Sequence, residues 1–203
     1  MDRYEAYLLI HIVAAMVWVG GGVAMLVQGV RASRARDENA MERLLADVVA
    51  MGNTVFVPAS IVVLGMGMLM VVDGPWEFDQ LWIVLGLAGY LATFLTGVLI
   101  MKPSGDRIHA MIARDGGMTA ESALETQKLL IKARADTAVL LIVVTVMVAK
   151  PTGADVLLLG TMAAILVVAV AYVAGAVHRV GTAAAPDDIT IAGPGGGGIV
   201  GPA

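Results

Sequence analysis

The 203-residue chain contains no cysteine. That absence excludes structural disulfides, covalent c-type heme attachment and thiolate-held iron–sulfur clusters. Any metal site must therefore draw on histidine, methionine or carboxylate. Charge is also scarce, at 15% of residues against about 25% in soluble domains. The net charge is only −4 and the basic residues are scattered, which argues against nucleic acid as a partner. No nucleophile motif, phosphate loop or metalloprotease pattern occurs. The glycine run from Gly195 lacks the Lys-Ser/Thr of a phosphate loop, so it reads as linker composition.

What the chain has instead is apolar length. Apolar residues make up 59% of it and the mean hydropathy is +0.85. A bilayer core of about 30 Å needs about 20 apolar residues in a helix, and several runs reach that length. The first span is placed at about 7–30. Acidic balance precedes it (Asp2, Arg3, Glu5) and Arg31, Arg34 and Arg36 follow. A cleavable signal peptide has the opposite charge order, so a retained helix is expected.

Residues 37–50 carry Met41, Leu44, Leu45, Val48 and Val49 on one helical face. This predicts a juxtamembrane extension of the second helix, packed on a neighbour or on headgroups. The second span is about 54–72, ended by Asp73-Gly74-Pro75, and Trp76, Phe78 and Trp82 mark an interface. The third, 81–101, is expected to stop at Lys102-Pro103. A short helix with Ile108, Met111 and Ile112 then breaks at Gly116-Gly117, and Ser122 with Glu125 reads as a capping box. The fourth span, 129–149, has only a short purely apolar stretch and draws Lys132, Arg134 and Asp136 towards the membrane. The fifth is 156–177. Residues 181–203, rich in Gly and Pro, are expected to form a flexible tail.

The fold class is therefore all-α: a polytopic membrane bundle of four antiparallel transmembrane helices plus a fifth. Eleven basic residues fall on one side of these spans, and only Arg3 and Lys150 on the other. Positive charge stays cytoplasmic. The expected topology in a bacterial cytoplasmic membrane is N-terminus outside and C-terminus inside.

His11 is the only histidine inside a span. It shares a helix face with Ala15, Trp18, Gly22 and Met25, and Gly20-Gly21-Gly22 allow close approach of a backbone or a flat cofactor. Two readings stay open: a neutral imidazole hydrogen-bonded to a partner helix, or a ligand to heme or a soft metal. Met66 and Met70 lie at matching depth on one face, and imidazole with thioether suits Cu(I) or an axially ligated heme. A ligating His11 needs an acceptor for its other ring nitrogen, expected from the backbone near Tyr7. His109 and His178 fall on the opposite side. Arg134 and Asp136 occupy one turn of the fourth span, where they either form an intramembrane charge pair on an ion path or snorkel to headgroups.

The segment Leu8-Leu-Ile-His11 through Trp18-Val-Gly-Gly21 resembles the first helix of a bacterial integral membrane family, domain of unknown function 2269. Met147-Val-Ala-Lys150-Pro151 resembles that family's fourth-helix terminus. The resemblance covers about 4–152 and implies a four-helix plan, from which the fifth span and tail depart. The same opening is similar to copper-resistance inner-membrane proteins and to the heme-binding membrane protoporphyrinogen oxidase family. That likeness implies a heme ligand at His11. The oxidase family also uses a lysine inside a later helix, and here the second and third spans contain none.

Three functional classes follow. One is a non-enzymatic subunit that meets partners, or a second copy of itself, through small residues such as Gly86, Gly89, Ala163 and Ala174. The second is a heme b or copper protein using His11. The third is a small permease with Arg134 and Asp136 on its path. The first is favoured, because the third lacks broken helices and the second rests on one histidine.

Overall fold

A computed structural model describes residues 2–183. The tail expectation for 181–203 falls, beyond Ala183, outside the described residues. Five long helices, with no strand among the described residues, account for almost all of it. They are α1 (Arg3–Ala35), α2 (Glu38–Asp73), α3 (Leu81–Asp115), α4 (Ala120–Ala149) and α5 (Val156–Ala183).

Side-chain contacts fix the packing. Tyr4 lies beside Gly74, His11 beside Gly67 and Leu44 beside Gly29, so α1 and α2 run antiparallel. Met147 meets Gly86 and Val143 meets Gly89, which sets α4 antiparallel to α3. Helix α4 touches α1, α3 and α5, whereas α5 packs chiefly on α4 and leaves most of its residues exposed. The exposed surface is rich in Leu, Ile and Val, as a lipid-facing surface is. The close contacts use glycines because small residues bring membrane helices together where no hydrophobic force does.

Four helices, α1, α2, α3 and α5, are long and apolar enough to cross a membrane. The fourth has the length, at 30 residues, but Lys132, Arg134 and Asp136 interrupt its apolar half. The extension at 37–50 is helical as expected. It closes the basic end of the bundle with a small core in which Met41, Leu44 and Leu45 pack on Ala32 and Ile108.

Two sequence expectations are corrected. Pro103 does not stop the third helix, which continues to Asp115. A helical proline lacks an amide hydrogen, and its ring collides with the carbonyl four residues earlier, here that of Leu99. A single π-turn, Gly97–Met101, widens the helix at that point and absorbs both defects. Pro58 is accommodated in the same way: its clash would fall on Thr54, inside the π-turn Gly52–Phe56. A third π-turn, Met16–Gly20, carries Trp18 in α1. The cap of α4 is the second correction. Thr119, not Ser122, is the capping residue, and Ser122 returns a bond to its amide, while Glu125 pairs with Lys128 at 2.7 Å.

Candidate functional site: a cavity at the basic end and an imidazole at the other

The residues singled out by sequence separate into two places. At the end of the bundle away from the basic loops, His11 is half-buried against α2. Its Nδ1 lies 2.8 Å from the carbonyl oxygen of Val63. A carbonyl only accepts, so Nδ1 carries the proton and donates, leaving Nε2 with a free lone pair. Gly67, one turn on from Val63, provides the space. A Cβ there would sit 3.4 Å from the imidazole Cε1. The acceptor expected near Tyr7 is thus supplied by the neighbouring helix instead. Val63, Met66, Gly67 and Met70 share one face of α2 by helical spacing, and all four are half-buried. The methionines therefore belong to the α1–α2 seam with His11.

Trp18 and Gly22 belong elsewhere. Both line a cavity of about 240 Å³ between α1, α2, α3 and α4. Trp18 meets Tyr90 edge to face at 5.4 Å, and Tyr90 stacks on Phe94 at 5.8 Å. The Tyr90 hydroxyl donates to the Ser60 carbonyl at 3.1 Å, with Tyr90 6% and Ser60 0% exposed. Trp18 and Phe94 of this group line the cavity, with Tyr90 packed behind them. From there the cavity extends towards Lys102 and Asp106, which pair at 2.8 Å. Each of the three π-turns contributes to its wall: Trp18 from the first, Gly52 and Phe56 from the second, Gly97, Val98 and Met101 from the third. Single π-turns occur often at functional sites, and here all three face one void.

Asp136 also lines this cavity. It lies thirteen residues before Ala149, a rise of about 20 Å along α4. Arg134 does not pair with it. Two residues apart on a helix point to nearly opposite sides, and the Arg134 guanidinium turns outward to donate to the Tyr172 hydroxyl of α5 at 2.9 Å. Among the described residues Asp136 makes no hydrogen bond and no ion pair.

Sequence reasoning did not find Tyr90, Ser60, Thr93 or Thr126. The available signal was the few polar residues inside apolar runs, which share the faces that converge on the cavity. Of the small residues expected to meet partners, Gly86 and Gly89 are already covered by Met147 and Val143 of α4. Ala163 and Ala174 stay exposed on α5. His109 and His178 are exposed at the basic end, and no group of three His, Asp or Glu able to hold a metal exists among the described residues.

Residues 6–151 match the model of a family described as predicted integral membrane protein, DUF2269. The chain belongs to that family. The match ends at the α4 terminus, so α5 lies beyond it, and the whole α1–α4 cavity with His11 lies within it. No curated protein and no solved structure matches the chain. This DUF2269 member is a multi-pass integral membrane protein.

Proposed function

We propose that this protein is a non-enzymatic membrane component that binds a small apolar or amphiphilic molecule within its bundle. The observation that carries the reading is the partly open cavity of about 240 Å³ between four helices, walled mainly by apolar side chains. A dry apolar void of about 150 Å³ already takes benzene, so this one has room for a ring bearing a substituent. No pair of groups around it forms a nucleophile with its base, which supports binding over catalysis. The basic asymmetry orients the cavity towards the cytoplasmic leaflet, with α4 crossing as a fifth span between its partners. The exposed α5, carrying Ala163 and Ala174, is the face left for a protein partner or a second copy.

Photolabelling tests the reading. A medium-chain alkyl diazirine alcohol, activated in native membranes, should mark Val98, Leu129 or Ala133. The variant Ala133→Phe, which fills the void, should lose those marks and keep labels on lipid-facing Leu141. Equal labelling of the cavity residues in both proteins would overturn the proposal.

A second reading has its own observation. Donation from His11 Nδ1 to the Val63 carbonyl is the arrangement that fixes the tautomer of a ligating imidazole. It leaves Nε2 as the atom that would hold heme b, or copper together with Met66 or Met70. These residues fit a single imidazole donor, and Gly67 against the ring edge limits the space on that side. When bound, such a group would supply one-electron chemistry; His11 would hold it, and Val63 would orient His11. An absorption spectrum and metal analysis of wild type against His11→Ala test this.

A further inference from the structure

The cavity is rich in acceptors and poor in donors, and its aromatic walls and one unpaired carboxylate define a chemistry. Its hydroxyl groups are already committed as donors to their own helices: Thr126 to the Ser122 carbonyl at 2.7 Å, Ser60 to Val57 at 2.8 Å, and Thr93 to Tyr90 at 3.0 Å. Each keeps lone pairs for an incoming donor. The basic residue on the cavity wall, Lys102, is held by Asp106. The nearest cation in sequence to Asp136, Arg134, is turned away to Tyr172. Asp136 is left facing the void without an ion pair or hydrogen bond. Three aromatic rings, Trp18, Phe56 and Phe94, line the same void, and aromatic faces attract ammonium groups once water is excluded.

We infer that the cavity is a site for an organic cation: an ammonium group facing Asp136, attached to a compact apolar body that fills the space between Trp18, Phe56 and Phe94. The inference rests on the reading of the cavity as a binding site and names the class of molecule bound. A carboxylate within the bilayer is costly and marks function when it lacks a partner in its own chain. A ligand that brings the missing positive charge completes the site.

The test separates the charge from the cavity. Full-length protein in zwitterionic lipid nanodiscs is titrated by calorimetry with benzyltrimethylammonium and with its neutral isostere neopentylbenzene, empty nanodiscs serving as the blank. Wild type should favour the cation by about tenfold or more. Asp136→Asn should bring the two affinities within about twofold of each other while still binding the neutral compound. Asp136→Glu should restore the preference, and Ala133→Phe should bind neither. Circular dichroism reports that each variant keeps its helices, and Asp136→Glu covers the case in which the amide variant misfolds. Equal affinity of wild type for both compounds, or a preference surviving in Asp136→Asn, overturns the cation inference and leaves the cavity reading standing. Wild type that binds neither overturns both.

Discussion

Replacing Gly86 and Gly89 by alanine, one at a time, should have unequal effects that the α3–α4 seam dictates. Both glycines are covered by a side chain of α4. An added Cβ at Gly86 would meet the terminal methyl of Met147, whose sulfur is already 3.6 Å away. Methionine has three rotatable bonds and adapts to irregular space, so its end can swing aside. At Gly89 the obstacle is a branch methyl of Val143, with the valine Cβ 3.8 Å from the new atom. A helical valine has essentially one side-chain rotamer, so relief requires the helices to move apart. Alanine in a helix ordinarily gains about 0.5–1 kcal/mol over glycine, and forced overpacking costs about 1–3 kcal/mol. Gly86→Ala should therefore be neutral or slightly stabilising, and Gly89→Ala should lose about 1 kcal/mol net. Titration of both variants with sodium dodecyl sulfate in mixed micelles, followed by far-ultraviolet circular dichroism, reads the difference. Equal shifts, or a larger loss at Gly86, would refute the seam and return these glycines to a surface available for partners.

Other outcomes follow from single contacts. Because the chain has no native cysteine, single-cysteine variants are clean topology probes. Positions 34 and 110 should label only from the cytoplasm, and 76 and 153 from outside; reagent reaching 34 but not 76 in intact cells would invert the orientation. The Lys150 ammonium sits 3.8 Å above the Trp76 ring, which itself meets Trp82 edge to face at 5.2 Å. Lys150→Met should cost about 0.5–1 kcal/mol and shift tryptophan emission, and an unchanged spectrum would sink that contact. Asp155 accepts from the Thr152 amide and hydroxyl at 2.7 and 2.9 Å, which holds its carboxyl below the usual aspartate range. Its contribution to the turn before α5 should be complete above about pH 3.9 and lost as pH falls through the lowered value. A nuclear magnetic resonance titration of the Thr152 amide with a midpoint above that pH would contradict this.

The helices were legible because their cause is local: apolar run length, charged ends and turn residues. The extension at 37–50 showed in its periodicity, and the membrane class in composition alone. Pro103 misled because a proline's clash is local but its remedy is not: the π-turn at Gly97–Met101 leaves no sequence signature of its own. His11 was visible as an ionisable group in an apolar run. Its partner Val63 was not, since a backbone carbonyl is the same at every position and only helix register selects it. The Asp136 environment was hidden for the same reason. Two residues apart in sequence, Arg134 and Asp136 suggest a pair, yet the rotation of α4 sends one to α5 and the other to the void. Trp18 and Gly22, placed with His11 by spacing, proved to belong to the cavity that three later helices complete.

The claim that the bundle holds a ligand site is tested most directly by native mass spectrometry of protein released from its own membranes, wild type beside Ala133→Phe. Wild type should carry a bound small molecule that is absent from Ala133→Phe at equal helical content. Bare wild-type protein, or the same adduct on both proteins, would contradict it.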